Sequence, residues 1–195
     1  MNATKVLPEN YHLAWEVNLD KNKGQMWLLQ LLGLPWSLLV LAFLGWFTML
    51  VRPEALASPY GEIPIATLVA MIPFFGFCIL LHEFVHGLFF WYYTRQQPRF
   101  GFKVVYAYAT APGWYFPTAQ YRVIGLAPLI LLSILGLALI PVIPETLVYL
   151  LLFGIFTNAS GAVGDAYIIT RLAFEPKDTY VEDLGASFRV FRRSN

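Results

Sequence analysis

Two histidines and a glutamate form the short run His82-Glu83-Phe84-Val85-His86, which lies inside a long apolar segment. Residues four apart on an α-helix lie one turn apart on the same face, so the two imidazoles can reach one metal ion. Glu83 is rotated by about 100° from His82 on such a helix. Its carboxylate then lies beside the ion, where it can hold a water molecule as a general base. The run therefore predicts a metal centre that activates water.

The apolar surroundings make these polar side chains informative. A charged group at the centre of a membrane-spanning helix costs about 2.5–3.5 kcal/mol on the insertion scale, so such a residue normally has a function. Apart from residues at their boundaries, the apolar segments contain four acidic or imidazole groups, namely His82, Glu83, His86 and Asp165. These are the groups of a zinc site with two histidines, one carboxylate and a separate glutamate base. The alternative is that both histidines are ordinary core residues and that Glu83 pairs with one of them.

The composition of the chain points to a membrane. Of its 195 residues, 58% are hydrophobic and 13% are charged, whereas soluble domains carry about 25% charged residues. The net charge of +1 provides no clustered basic surface for nucleic acid. The expected partners are the lipid bilayer and a membrane protein or peptide substrate. We predict a single membrane domain over residues 1–195 and leave its oligomeric state open.

Four apolar segments are long enough to cross a bilayer, which takes about 20 residues. The predicted fold is an all-α integral membrane protein with spans at about 26–51, 63–93, 123–140 and 147–174. Twelve of the 13 Lys and Arg residues lie in the termini, in the middle loop or, for Arg171, in the last turn of the fourth span. The positive-inside rule then predicts a multi-pass protein of the cell membrane with both termini cytoplasmic. His86 and Asp165 lie at similar depths in this arrangement, in the cytoplasmic half of the bilayer.

The loop between the second and third spans, at about residues 98–120, carries a regular pattern. Bulky residues alternate with smaller or polar ones over Phe100–Ala109, which is the period of a strand. Pro112-Gly113 is a turn signal before Trp114-Tyr115-Phe116, which could return as a second strand. We expect a short β-hairpin or strand at the cytoplasmic surface, or else an irregular interfacial loop. The strand edge could bind an extended peptide, and the tail 175–195 is expected to be polar and soluble.

The fourth span contains a run of small residues, Asn158-Ala-Ser-Gly-Ala-Val-Gly-Asp165, which lets another helix approach closely. Asn158 lies seven residues before Asp165, on nearly the same helix face. Its amide is a candidate for positioning a substrate carbonyl or for orienting a metal ligand. The equally open alternative is that Asn158 only bonds to a neighbouring helix.

At these residues the chain resembles a bacterial membrane family of zincin peptidases, formerly of unknown function, which is distantly similar to the site-2 intramembrane metalloproteases. The resemblance extends over His82–Gly87, the Phe100-Gly-Phe segment, the run ending Gly164-Asp165 and the tail from Pro176 to Gly185. It implies a zinc-dependent membrane endopeptidase. By the same resemblance, Glu83 is the catalytic residue and the Zn²⁺ ligands are His82, His86 and Asp165.

The leading interpretation is a membrane metalloprotease that hydrolyses peptide bonds near the cytoplasmic side of the bilayer. One alternative is a protein that binds or transports metal through the same residues, although four spans without an internal repeat would make a small transporter. Another is a catalytically silent scaffold that binds transmembrane partners through its small-residue run. Cleavage of a peptide that requires Glu83 distinguishes the enzyme from both alternatives.

Overall fold

A computed structural model describes residues 1–18, 21–56, 63–103, 106–185 and 187–194. The chain is mostly helical and forms two compact units. The first, called the sheet unit, comprises Met1–Gln30, Glu83–Ala127 and Gly164–Asn195. The second, called the helical unit, comprises Leu31–His82 and Pro128–Val163.

The helices match the predicted apolar segments closely. They are α1 (Lys23–Val51), α2 (Ile65–Thr94), α3 (Thr118–Leu139), α4 (Glu145–Gly161) and α5 (Val163–Ala173). The first three are each long and apolar enough to cross a membrane. The predicted fourth span differs, because it is divided into α4 and α5 with a bend of 41°. Glycines at 161 and 164 flank the break, and glycine is a poor helix former because it loses the most backbone freedom.

The helical unit exposes much of its apolar surface. On α1, Leu38, Trp46 and Met49 are each at least 60% exposed, and the small buried cluster of this unit is built on Leu44, Ile140 and Ile155. Exposed apolar surface on this scale is unfavourable in water and is compatible with a membrane protein.

Arg52 binds backbone carbonyls near the C-terminal end of α3 in the helical unit. Its guanidinium donates hydrogen bonds to the backbone carbonyls of Ile140, at 3.1 Å, and of Ile143, just after the end of α3. A cation is stabilising at a helix C-terminus, where carbonyls lack partners in the helix. The basic residue of the first predicted loop therefore stabilises the end of a helix.

The sheet unit contains a four-stranded antiparallel sheet that the sequence analysis did not predict. Its strands are β1 (Tyr11–Asn18), β4 (Tyr115–Pro117), β5 (Tyr180–Asp183) and β6 (Ser187–Arg193), in the order β1-β6-β5-β4. Val17, Phe116, Val181 and Val190 are almost fully buried in its core. The prediction of an all-α fold therefore holds only in part, because the chain is mostly helical but its described residues also form two sheets, and the tail supplies strands β5 and β6 of the larger one. These terminal segments are polar on average, and only a few apolar side chains in each face the core.

The predicted hairpin in the middle loop is confirmed, but with different strands. It consists of β2 (Arg99–Lys103) and β3 (Tyr106–Thr110), paired antiparallel, while Val104 and Val105 lie outside the described residues. The alternating stretch thus supplies both strands of the hairpin. The segment expected to return as its partner is instead β4, where Tyr115 pairs with Glu182 of β5.

The hairpin packs directly against the helix that carries the histidine motif. A Cβ atom added at Gly87 would lie 2.4 Å from the ring of Phe100, so only glycine allows this approach. A second close contact holds the hairpin together, because the ring of Tyr108 covers Gly101 on the opposite strand. The first position after His86 is therefore part of the contact between α2 and β2.

Candidate metal centre

The middle of α2 carries His82, Glu83 and His86, and the helix is continuous through them. Both histidines are buried, at 9% and 8% exposed. The Nδ1 atom of His86 lies 2.9 Å from the backbone carbonyl oxygen of Ile124 on α3. Because a carbonyl oxygen only accepts hydrogen bonds, Nδ1 carries the proton and donates. The Nε2 atom of His86 is then the ring nitrogen that can bind a metal ion.

The ring of His82 is oriented by Asn158 on α4. Its Nδ1 donates to the amide oxygen Oδ1 of Asn158 at 3.0 Å. The Asn158 amide nitrogen donates to the carbonyl oxygen of Pro128 at 3.2 Å and to the Ser133 hydroxyl at 3.3 Å. These two acceptors determine which end of the amide faces His82. Both histidines therefore leave Nε2 as the ring nitrogen that could bind a metal ion, and histidine ligands in proteins commonly donate the other N–H to such a partner.

Asp165 is the acidic residue of the candidate site on α5. It lies in the first turn of α5, and its Oδ2 atom is 3.4 Å from Nε2 of His86. One ligand atom from each of His82, His86 and Asp165 lies within 4.8 Å of the others. These three residues form a group that could hold a metal ion, and they are the ligands proposed from the sequence.

The donor atoms of this group suit zinc. Ligand bonds of about 2.1 Å in a tetrahedral site set neighbouring donor atoms about 3.4 Å apart, and the separation of His86 Nε2 from Asp165 Oδ2 is 3.4 Å. Two neutral imidazole nitrogens with one carboxylate oxygen form the ligand type of catalytic zinc sites, which keep a fourth position for water or substrate. The residues present therefore fit the metal that the motif implies.

Glu83 lies beside the three ligands without being one of them. It is the residue after His82 on α2 and is partly exposed. Glu83 lies three residues, or about one helical turn, before His86 on α2. A general base must reach the attacking water while the ligands hold the ion. The position of Glu83 is compatible with this role, which stays a prediction.

Asp183 on β5 is a buried carboxylate that was missed from the sequence. Asp183 accepts hydrogen bonds from the Tyr121 hydroxyl and from the Gly185 N–H, both at 2.7 Å. Burial raises the pKa of Asp183 from 3.8 to about 6, against the lowering effect of these hydrogen bonds. The sequence offered one signal for Asp183, the adjacent acidic residues Glu182 and Asp183 in the tail. Acidic residues in a polar tail are more often exposed to solvent than buried.

The orienting bond to His82 leads to a quantitative prediction for Asn158. Replacing Asn158 with alanine is expected to weaken zinc affinity by about 10- to 100-fold, the range typical of partners behind a metal ligand. The measurement is competition between the detergent-purified protein and a chromophoric zinc chelator.

The Asn158 prediction has a control variant and an outcome that would contradict it. Ser133→Ala removes only one of the two acceptors of the Asn158 amide nitrogen, so its zinc affinity should stay near that of the wild type. Equal zinc affinity for the wild type and Asn158→Ala would show that the Asn158 contact does not support the metal. A role for Asn158 in positioning substrate would then be examined separately.

The comparisons with known proteins agree with this chemistry. A family model described as "Putative zincin peptidase" matches residues 75–180, more than half of the chain. The matched segment contains all the residues proposed above as ligands, base or substrate-positioning group. No curated protein and no solved structure matches the chain. Because the match extends over most of the helices that build the metal centre, we conclude that the chain belongs to this zincin peptidase family.

Proposed function

We propose that this protein is a zinc-dependent membrane endopeptidase, similar in chemistry to the site-2 proteases, that hydrolyses peptide bonds of membrane proteins near the cytoplasmic side of the bilayer. The observation that carries the proposal is the clustering of ligand atoms from His82, His86 and Asp165 within 4.8 Å, with Glu83 adjacent on the same helix. Membership of the zincin peptidase family supports a metallopeptidase.

In the proposed reaction, one set of residues holds the ion and another residue transfers a proton. The Nε2 atoms of His82 and His86 and a carboxylate oxygen of Asp165 would hold zinc. When bound, zinc supplies Lewis acidity, which polarises the scissile carbonyl and lowers the pKa of water toward 7. A carboxylate oxygen of Glu83 takes the proton from the attacking water and later donates it to the leaving amine nitrogen. The reaction needs no covalent bond between the enzyme and the substrate.

Three features support a location in the cytoplasmic half of a membrane. Helices α1 to α3 are each apolar and long enough to cross it. His86 lies eight residues, or about 12 Å at 1.5 Å per residue, before the end of α2 at Thr94. Just beyond that end, Arg95 stacks on the rings of Trp91 and Tyr92, and such aromatic and basic residues are typical of the membrane–water interface. The distribution of Lys and Arg then favours cytoplasmic termini.

The hairpin supplies a candidate surface for an extended substrate. Strand β2 is exposed over most of its length, and Phe100 at its start packs against Gly87 on α2. A peptide could add to this edge by main-chain hydrogen bonds. A peptide held without turnover by a Glu83→Gln variant should then protect the amides of β2 from hydrogen exchange. Unchanged exchange would remove this role for the hairpin.

The proposed activity is tested directly by peptide cleavage. Detergent-purified full-length protein is incubated with a library of apolar peptides derived from membrane-spanning segments, and the products are identified by mass spectrometry. We expect internal cleavage that is lost on chelation and restored when one equivalent of zinc is returned, because the ion supplies the Lewis acidity of the reaction. Cleavage that a strong chelator leaves unchanged, in protein shown to be zinc-free, would overturn the metalloprotease proposal.

A further inference from the structure

Helix α3 is interrupted by a proline near its middle. Pro128 lies inside Thr118–Leu139 and is almost completely buried. Proline has no backbone N–H, and its ring crowds the carbonyl four residues earlier. The carbonyl of Ile124 therefore cannot accept the hydrogen bond that residue 128 would donate in a regular helix. In an apolar environment such a carbonyl needs another donor, which neighbouring helices often supply.

The donor at this carbonyl is the proposed metal ligand His86. Its Nδ1 atom donates to the Ile124 oxygen at 2.9 Å. Ile124 is only 1% exposed, so bulk water does not compete for this acceptor. The absence of an N–H at position 128 therefore leaves the Ile124 oxygen available for His86.

The same turn of α3 also supports the second histidine. The carbonyl oxygen of Pro128 accepts a hydrogen bond from the Asn158 amide nitrogen at 3.2 Å. The Asn158 oxygen in turn accepts the proton of His82 Nδ1 at 3.0 Å. Each histidine is thus oriented through one carbonyl of the Ile124–Pro128 turn, directly for His86 and through Asn158 for His82.

We propose that Pro128 is a positioning residue of the candidate metal centre, which keeps the Ile124 carbonyl available to His86 and thereby directs the Nε2 atom of His86 toward the ion. This inference rests on the proposed zinc-binding role of the two histidines. A proline in the interior of a helix lowers the stability of that helix. The proposal therefore predicts that replacing Pro128 stabilises helix α3 but lowers the zinc affinity of the protein.

Two substitutions at this position test the proposal. Pro128→Ala and Pro128→Val both restore an N–H that can bond to the Ile124 oxygen, but only alanine leaves substantially less side-chain volume in the core. Both variants are expected to lose about 10- to 100-fold in zinc affinity, as when a ligand loses its orienting partner. The thermal unfolding midpoint of the metal-free protein should not fall. Full-length protein in detergent is measured with Zn²⁺ and a chromophoric chelator.

The chain offers two matched controls. Pro35 in α1 and Pro73 in α2 are also inside helices, on exposed positions. Pro35→Ala and Pro73→Ala restore an N–H in the same way, and their zinc affinity should remain that of the wild type. A loss of affinity in these controls equal to the loss at position 128 would show a general effect of helix straightening and would overturn the proposal.

The remaining outcomes separate this inference from the proposed function. If wild type binds zinc and both variants at position 128 bind it equally tightly, the inference is wrong and the proposed function stands. If affinity falls for Pro128→Ala but not for Pro128→Val, lost packing is the cause and the inference is again wrong. A well-folded wild type that binds no zinc overturns both the inference and the proposed function.

Discussion

Replacing Glu83 with glutamine is expected to abolish peptide cleavage while zinc binding persists. Glutamine is close in shape to glutamate but cannot take a proton from the attacking water, and loss of a general base typically lowers the rate by about 10²- to 10⁴-fold. Glu83 is outside the group of three ligands, so the zinc content should stay near that of the wild type. Cleavage rates and bound zinc are measured on the same preparations.

The control for this substitution is another glutamate on a helix of the chain. Glu145 begins α4 at an exposed position, and Glu145→Gln should cleave at the wild-type rate. Undiminished cleavage by Glu83→Gln would assign the base to another residue. A wild type that captures membrane partners without cleaving them, equally well with Glu83→Gln, would favour a scaffold. Zinc flux into proteoliposomes without peptidase activity would favour metal transport.

Asp165→Ala is expected to remove zinc from the purified protein. Asp165 supplies the carboxylate of the ligand group, with Oδ2 at 3.4 Å from His86 Nε2. Loss of a direct ligand should weaken binding by more than the 10- to 100-fold typical of the partners behind a ligand. Metal content is measured on wild type and variant purified without added metal. About one zinc per chain is expected for wild type and almost none for Asp165→Ala.

The matched control is an aspartate of the tail. Asp178 lies beyond the end of α5, and Asp178→Ala should retain the zinc of the wild type. Full zinc content in Asp165→Ala would show that Asp165 is not a ligand. The absence of metal from well-folded wild type would show that the two histidines of α2 are ordinary core residues.

Several features of this protein follow from short-range patterns and could be predicted from the sequence. The apolar segments correspond to α1, α2 and α3 because helix length and apolar composition are local properties. The alternating stretch in the middle loop correctly indicated strand structure, although it forms both strands of the hairpin and not one. The four-stranded sheet, in which Tyr11 pairs with Arg193, did not follow from such patterns. Strand partners this far apart in the chain are selected by packing, and their polar average composition hides the few buried side chains.

For the candidate metal centre, too, some features follow from the sequence and others depend on the tertiary structure. The sequence by itself determined that His82 and His86 share a face with Glu83 beside them, because positions one turn apart on a helix are neighbours by geometry alone. Only the tertiary structure decided that Asp165 lies 3.4 Å from His86 and that Asn158, 76 residues away, orients His82. It also decided that the second orienting group is the carbonyl of Ile124. Every residue has a backbone carbonyl, so the one that accepts a ligand's proton is determined by how the helices pack.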